Sequence, residues 1–223
     1  MGFGTFPGFP YPRTILPIHK QSERVYLQME TKLLHERTIK VAVIGHVSSG
    51  KRAFVKRLLH NQYIRTNHPM ITFEFESIHE VRNQENIIWL FTILPGTEKY
   101  VANCWQSLQD AEAVIICRDC KAEDEDDETC FRTMKEQIRK YTQHASIFAV
   151  YTKNDRQSME YEPYPPNLLK GIHHLGMTSA KLYTGFNGIL DTIYKNLPTR
   201  SYRMSMEDES NLETDLRSCC CFM

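Results

Sequence analysis

The chain has 223 residues, 41% of them apolar, and its 27 Lys and Arg balance 27 Asp and Glu. One α/β domain with tails is the natural expectation for that length and composition, and the charge balance provides no global field of the kind that draws nucleic acid. No run of about 18 apolar residues is available for a membrane span, the N-terminus lacks the basic and apolar regions of a secretory signal, and the seven cysteines do not form a disulfide framework, so a cytosolic body is expected.

Residues 1–37 read as an N-terminal extension outside the core. Phe3, Phe6, Phe9 and Tyr11 alternate with Pro7, Pro10, Pro12 and Pro17 and with Gly2, Gly4 and Gly8, which suits a mostly disordered arm able to dock on something. Val25, Met29, Leu33 and Leu34 trace a short amphipathic helix within it. Myristoylation at Gly2 is rejected because Phe6 stands where that motif requires Ser or Thr. From Thr38 onward strand and helix patterns alternate, as βαβ architecture demands. Residues 39–44 form an apolar, β-branched strand, and Phe54, Val55, Leu58 and Leu59 follow at helical spacing. Ile71, Phe73 and Phe75 alternate with Thr72, Glu74 and Glu76, the mark of a half-solvated strand. A turn near residues 82–84 leads into the apolar run 87–94, predicting an antiparallel hairpin whose second strand is central.

Further strands are predicted over 113–117 and 146–151, with a short one ending near Thr178. Helices are predicted over 99–110, 128–143 and 166–174, and a last one carries Phe186, Ile189, Leu190, Ile193 and Leu197. The acidic run 123–128 reads as a solvated helix start, where carboxylates suit the positive end of the dipole. Cys117 and Cys120 have zinc-knuckle spacing, but no second pair follows and Cys117 closes an apolar strand, so a buried thiol is expected.

The chemistry is concentrated between the first strand and the first helix. Gly45-His46-Val47-Ser48-Ser49-Gly50-Lys51 is a phosphate-binding loop: its glycines let backbone N–H groups converge on a pyrophosphate, and its lysine reaches the terminal phosphates. A Ser or Thr would follow to ligate Mg²⁺, but the chain has Arg52, whose guanidinium has five donors and no acceptor. Arg52 and Ala53, at the helix start, complete the loop's phosphate-side set. The expected class is therefore α/β, a P-loop NTPase fold with a mostly parallel central sheet, one antiparallel edge strand and helices on both faces.

Thr152-Lys153-Asn154-Asp155, directly after a strand, and Ser179-Ala180-Lys181, which opens 24 residues after Asp155, extend the pattern. Together with the phosphate loop, these motifs resemble the Ras-like small GTPase superfamily over residues 38–197. The resemblance implies that Asp155 accepts hydrogen bonds from guanine, that the stem of Lys153 packs along the base, and that Thr152, Ser179, Ala180 and Lys181 complete the base site. It places Tyr63 against the base, Pro69 at the switch I proline, and Met70 where that switch has its metal-binding threonine. In switch II the pattern D-x-x-G-Q-E stands as Ile93-Leu94-Pro95-Gly96-Thr97-Glu98: Gly96 is kept on the phosphate side, Ile93 replaces the metal-side aspartate, and Thr97 replaces the glutamine that orients water. Arg52, Met70 and Ile93 surround one ion, so GTP or GDP is expected with magnesium absent or weakly held. Little hydrolysis is then expected, and no residue is assigned as catalytic. Two alternatives stay open: a pseudo-GTPase that binds no nucleotide and recruits partners, with His46 and Val47 crowding the loop, and a conventional GTPase with altered ligands.

Residues 198–223 read as a flexible tail with a lipidation box. In Cys219-Cys220-Cys221-Phe222-Met223, Cys220 stands four from the end as in a C-a-a-X box, where a terminal Met favours farnesyl; a C-C-x-x ending would place geranylgeranyl on Cys220 and Cys221. One lipid holds a membrane only marginally, and the tail is not polybasic, so palmitoylation of Cys219 is the expected second signal. The expected partners are guanine nucleotide, a membrane reached through the lipid, and effector proteins, at the cytoplasmic face of the plasma membrane or an endomembrane.

Overall fold

The computed structural model describes residues 36–65, 68, 70–102, 104–122, 126–156 and 170–198. Its first strand, β1 (Glu36–Ile44), is continuous with the phosphate loop and α1 (Lys51–His60). The hairpin β2 (Glu74–Arg82) and β3 (Glu85–Ile93) follows, turning on Asn83 and Gln84, both at positive φ as a two-residue primed turn requires. After it come a single helical turn, α2 (Glu98–Val101), a 3₁₀ turn (Trp105–Leu108), and β4 (Ala113–Asp119). The remainder is α3 (Asp127–Tyr141), β5 (Ser146–Thr152), a 3₁₀ turn (Asn154–Arg156), β6 (His173–Met177) and α4 (Ile189–Lys195).

The strands form one sheet in the order β2-β3-β1-β4-β5-β6. Only β2 and β3 pair antiparallel; β1 pairs parallel with β3 and β4, and β5 parallel with β4 and β6. Helices cover both faces, as expected. On one, Phe54, Val55 and Leu59 of α1 and Ile189 and Ile193 of α4 pack on Ile39, Val41, Trp89, Phe91 and Phe148. On the other, Phe131 and Ile138 of α3 pack with Leu108 on Ala42, Ile44, Val114, Ile147 and Tyr151. Burying each large side chain of this kind stabilises the fold by about 1.5–3 kcal/mol, which explains why central strands covered on both faces read as unbroken apolar runs.

Several elements depart from the periodicity. The helix expected over 99–110 is α2 and a 3₁₀ turn, with Cys104 and Leu108 buried in the core. The helix expected over 166–174 is not helical where it is described: residues 170 and 171 turn, and His173 and His174 begin β6, opposite Phe148 and Ala149. The last helix starts at Ile189, with Phe186 buried ahead of it. Asp126 caps α3 by accepting from Thr129 N–H at 2.9 Å, and Asp127 and Glu128 occupy the first turn, as the dipole argument anticipates. Glu36 and Arg37 belong to β1. The aromatic arm, residues 21–35 of the amphipathic segment, Pro69, residues 123–125 and 166–169, and Cys219 to Cys221 lie outside the described residues.

Strand β2 is half-solvated, but it begins at Glu74 and its aromatic set is the one that meets solvent. Phe75 and Val81 are 58% and 67% exposed, while Glu74, Glu76, Ile78, Glu80 and Arg82 turn toward α1 and α4. Glu76 pairs with Lys56 at 2.5 Å and with His60 at 3.0 Å. Glu80 accepts from Trp89 Nε1–H at 3.0 Å and from Arg82, which also reaches Asp191 of α4 at 2.7 Å.

Candidate functional site

The phosphate loop, the turn after β3, the end of β4 and the loops after β5 and β6 meet at the C-terminal edge of the parallel strands, where ligands bind in open α/β sheets. Gly45 opens the loop at φ 146°; a Cβ there would lie 2.2 Å from the carbonyl oxygen of Cys117, so no side chain fits between the loop and β4. Gly96 approaches from the other side, where a Cβ would come within 2.6 Å of the His46 and Val47 backbone. His46 is exposed, Val47 is 49% exposed, Ser48 stands at positive φ, and Ser49 is buried.

Lys51 is only 5% exposed, and its amine donates to the carbonyls of Gly45 at 2.8 Å and His46 at 2.7 Å. Burial strips water from that ammonium and Lys153 and Arg52 repel it, outweighing the favourable Cys117 sulfur, so its pKa falls to about 8. Arg52, next in the first turn of α1, pairs with Glu74 at the start of β2. Its Nε donates to Glu74 Oε2 at 2.8 Å and its NH2 donates to Glu74 Oε1 in a bidentate pair. Ala53 beside it is half-buried.

Thr152 Oγ1, in the first of the two base-side motifs, lies 2.6 Å from the carbonyl of Ser49 and 3.1 Å from that of Arg118, tying the phosphate loop to β4 and β5. Lys153, at positive φ, donates to Asp119 Oδ2 at 2.8 Å. Ser179 Oγ donates to Asp155 Oδ1 at 2.6 Å and accepts from Leu182 N–H at 3.1 Å, while Lys181 Nζ stands 3.9 Å from Asp155 Oδ2. The carbonyl of Ala180 accepts from Arg57 Nε at 2.7 Å, so α1 braces the second motif. Six expected base-side residues thus converge in two adjoining loops. The seventh, Tyr63, is 45% exposed in the segment after α1.

The Ras family sequence model matches residues 40–197. The chain belongs to the Ras family. As a Ras-family member it is a small GTP-binding protein. Among curated proteins, none matches the chain.

Does this Ras-family chain have donors for the magnesium that usually accompanies the nucleotide? At the three positions where the resemblance puts ligands stand a guanidinium held by Glu74, the thioether of Met70 packed against the core, and the fully buried alkyl group of Ile93. A hard divalent cation takes oxygen donors, and none of these side chains supplies one. Cys117 and Cys120 are buried; the Cys120 thiol donates to the Lys153 carbonyl at 3.1 Å, and burial pushes the Cys117 thiol up to about 12.

Sequence reasoning missed Glu74, Asp119 and Arg57. Each bonds to a residue 22, 34 and 123 positions away, respectively. A faint signal existed for Asp119, a carboxylate ending an otherwise apolar strand.

Proposed function

We propose that this protein is a lipid-anchored guanine-nucleotide-binding protein of signalling or trafficking that holds GTP or GDP with little or no magnesium and hydrolyses GTP slowly or not at all. The observation that carries this reading is the Arg52–Glu74 ion pair at the family's metal position, together with Met70 and Ile93. Asp155, steadied by Ser179, presents its carboxylate to the guanine N–H groups, and a carboxylate left there without donors would be costly, which selects guanine over adenine. Lys51 exchanges the Gly45 and His46 carbonyls for phosphate oxygens. Phosphoryl transfer relies on an oriented water and on neutralising the developing charge; Thr97 replaces the orienting glutamine, and Ile93 supplies no carboxylate. Prenylation at Cys220, supported by palmitoylation at Cys219, would hold the protein at the cytoplasmic face of a membrane, where effector proteins meet it.

The purified protein extracted with acid is expected to release a guanine nucleotide on an ion-exchange column, with content and affinity unchanged by EDTA, and to show no Mg²⁺-dependent turnover. Turnover of GTP at an ordinary small-GTPase rate would overturn the degenerate-site reading. A second reading, a nucleotide-independent interaction module, draws support from the Lys51 amine already satisfied by loop carbonyls and from exposed Ile71, Phe73 and Phe75. An extract with no nucleotide, and no binding of added GDP, would favour it.

A further inference from the structure

We propose that Glu74 is a positioning residue that competes with phosphate for the Arg52 guanidinium, which a bound nucleotide must take from it. This rests on the nucleotide-binding reading above. Arg52 follows Lys51 at the start of α1, and its Nε and NH2 together grip both oxygens of Glu74. That two-pronged geometry is the one a guanidinium offers equally to a phosphate, so one fork faces two acceptors of the same kind. Arg52 is the more sheltered partner, with side-chain exposures of 20% for Arg52 and 38% for Glu74.

The placement joins the pair to the site. Glu74 is the first residue of β2 and lies opposite Ile93, the last of β3. Three residues beyond Ile93, Gly96 closes against the His46–Val47 backbone of the phosphate loop. Arg52 also bears electrostatically on the buried Lys51 ammonium. A phosphate arriving at the loop therefore meets a cation already matched by a carboxylate, and that carboxylate opposes it. If phosphate takes the fork, Glu74 is released at the point where β2 begins, so occupancy is transmitted to that strand by side chains of this chain alone.

The test is a titration of a fluorescent GDP analogue, in EDTA, into the full-length protein and into Glu74→Gln, Glu74→Asp, Arg52→Ala and the Arg52→Ala/Glu74→Gln double variant. Glu74→Gln keeps the shape and removes the charge, and is expected to bind about tenfold tighter. Glu74→Asp keeps the charge but shortens the reach, and should tighten binding several-fold. In the Arg52→Ala background the Gln substitution should have no effect, because the contested fork is gone. Equal affinities for wild type and both Glu74 variants would overturn the proposal and leave nucleotide binding standing. So would an equal gain from Glu74→Gln with and without Arg52, which would indicate a general field effect. Should no variant bind the analogue, the nucleotide-binding reading falls and this inference falls with it. A Glu74→Gln protein that fails to fold leaves the Asp variant to decide.

Discussion

Lys51 is the group whose burial and chemistry pull hardest against each other. Its ammonium sits among carbonyls with little water, and ionises at about 8 where a free lysine does so at 10.5. Between those two values the unfolded chain binds more protons than the folded one, so this group's contribution to stability rises with pH through that window. Below it the buried charge costs on the order of 3 kcal/mol. Denaturant titrations of nucleotide-free protein should therefore show Lys51→Met more stable than wild type near pH 7.5, with the gap closing toward pH 10; a gap independent of pH would refute the buried-ammonium account. The neighbouring Arg52 shows what a single residue reveals from sequence. Its misfit with the metal role follows from side-chain chemistry and motif spacing alone. Its partner Glu74 lies 22 residues away, and no local pattern connects them.

At the scale of elements, β2 is the instructive case. Its period-2 alternation fixes which residues share a face, but not which face is turned inward. That choice is made by α1, where Arg52, Lys56 and His60 recur every four residues and form one stripe, against which Glu74 and Glu76 align. Burial works to raise the Glu76 pKa, but hydrogen bonds from Lys56 and His60 outweigh it and hold the carboxyl below its usual range. The aromatic residues are left outside: Phe73 and Phe75 meet edge-on, with ring centroids 5.1 Å apart. Phe75→Ser is accordingly expected to change stability by no more than about 0.5 kcal/mol. Phe91→Ala, one strand inward and fully buried, should cost roughly 3–5 kcal/mol. Chemical denaturation of the two variants checks this, and a large loss for Phe75→Ser would mean that the strand's faces are reversed.

For the whole molecule, the sheet order collects the ends of β1, β3, β4, β5 and β6 on one edge, and the phosphate loop and the motifs at residues 152–155 and 179–181 come to lie there. In the proposed function, reaching a membrane is the task of the tail. With the proposed anchor, Cys220→Ser should move the protein from the membrane to the soluble fraction of fractionated cells, and unchanged membrane association would remove the anchor from the account. What the amino-acid order by itself determined was the local chemistry: the phosphate loop, the two base-side motifs, the apolar runs of the central strands, and the loss of oxygen donors at Arg52, Met70 and Ile93. Such features are legible because each depends on side-chain type at short, fixed spacing. Only the tertiary structure decided that Glu74 would neutralise Arg52, that Asp119 would hold Lys153, that β2 would turn its carboxylates inward, and that His173 would open a strand. Those outcomes depend on which surfaces the chain brings together across tens of residues, where opposite charges find each other and backbone groups find a ladder, and spacing along the chain carries no record of that.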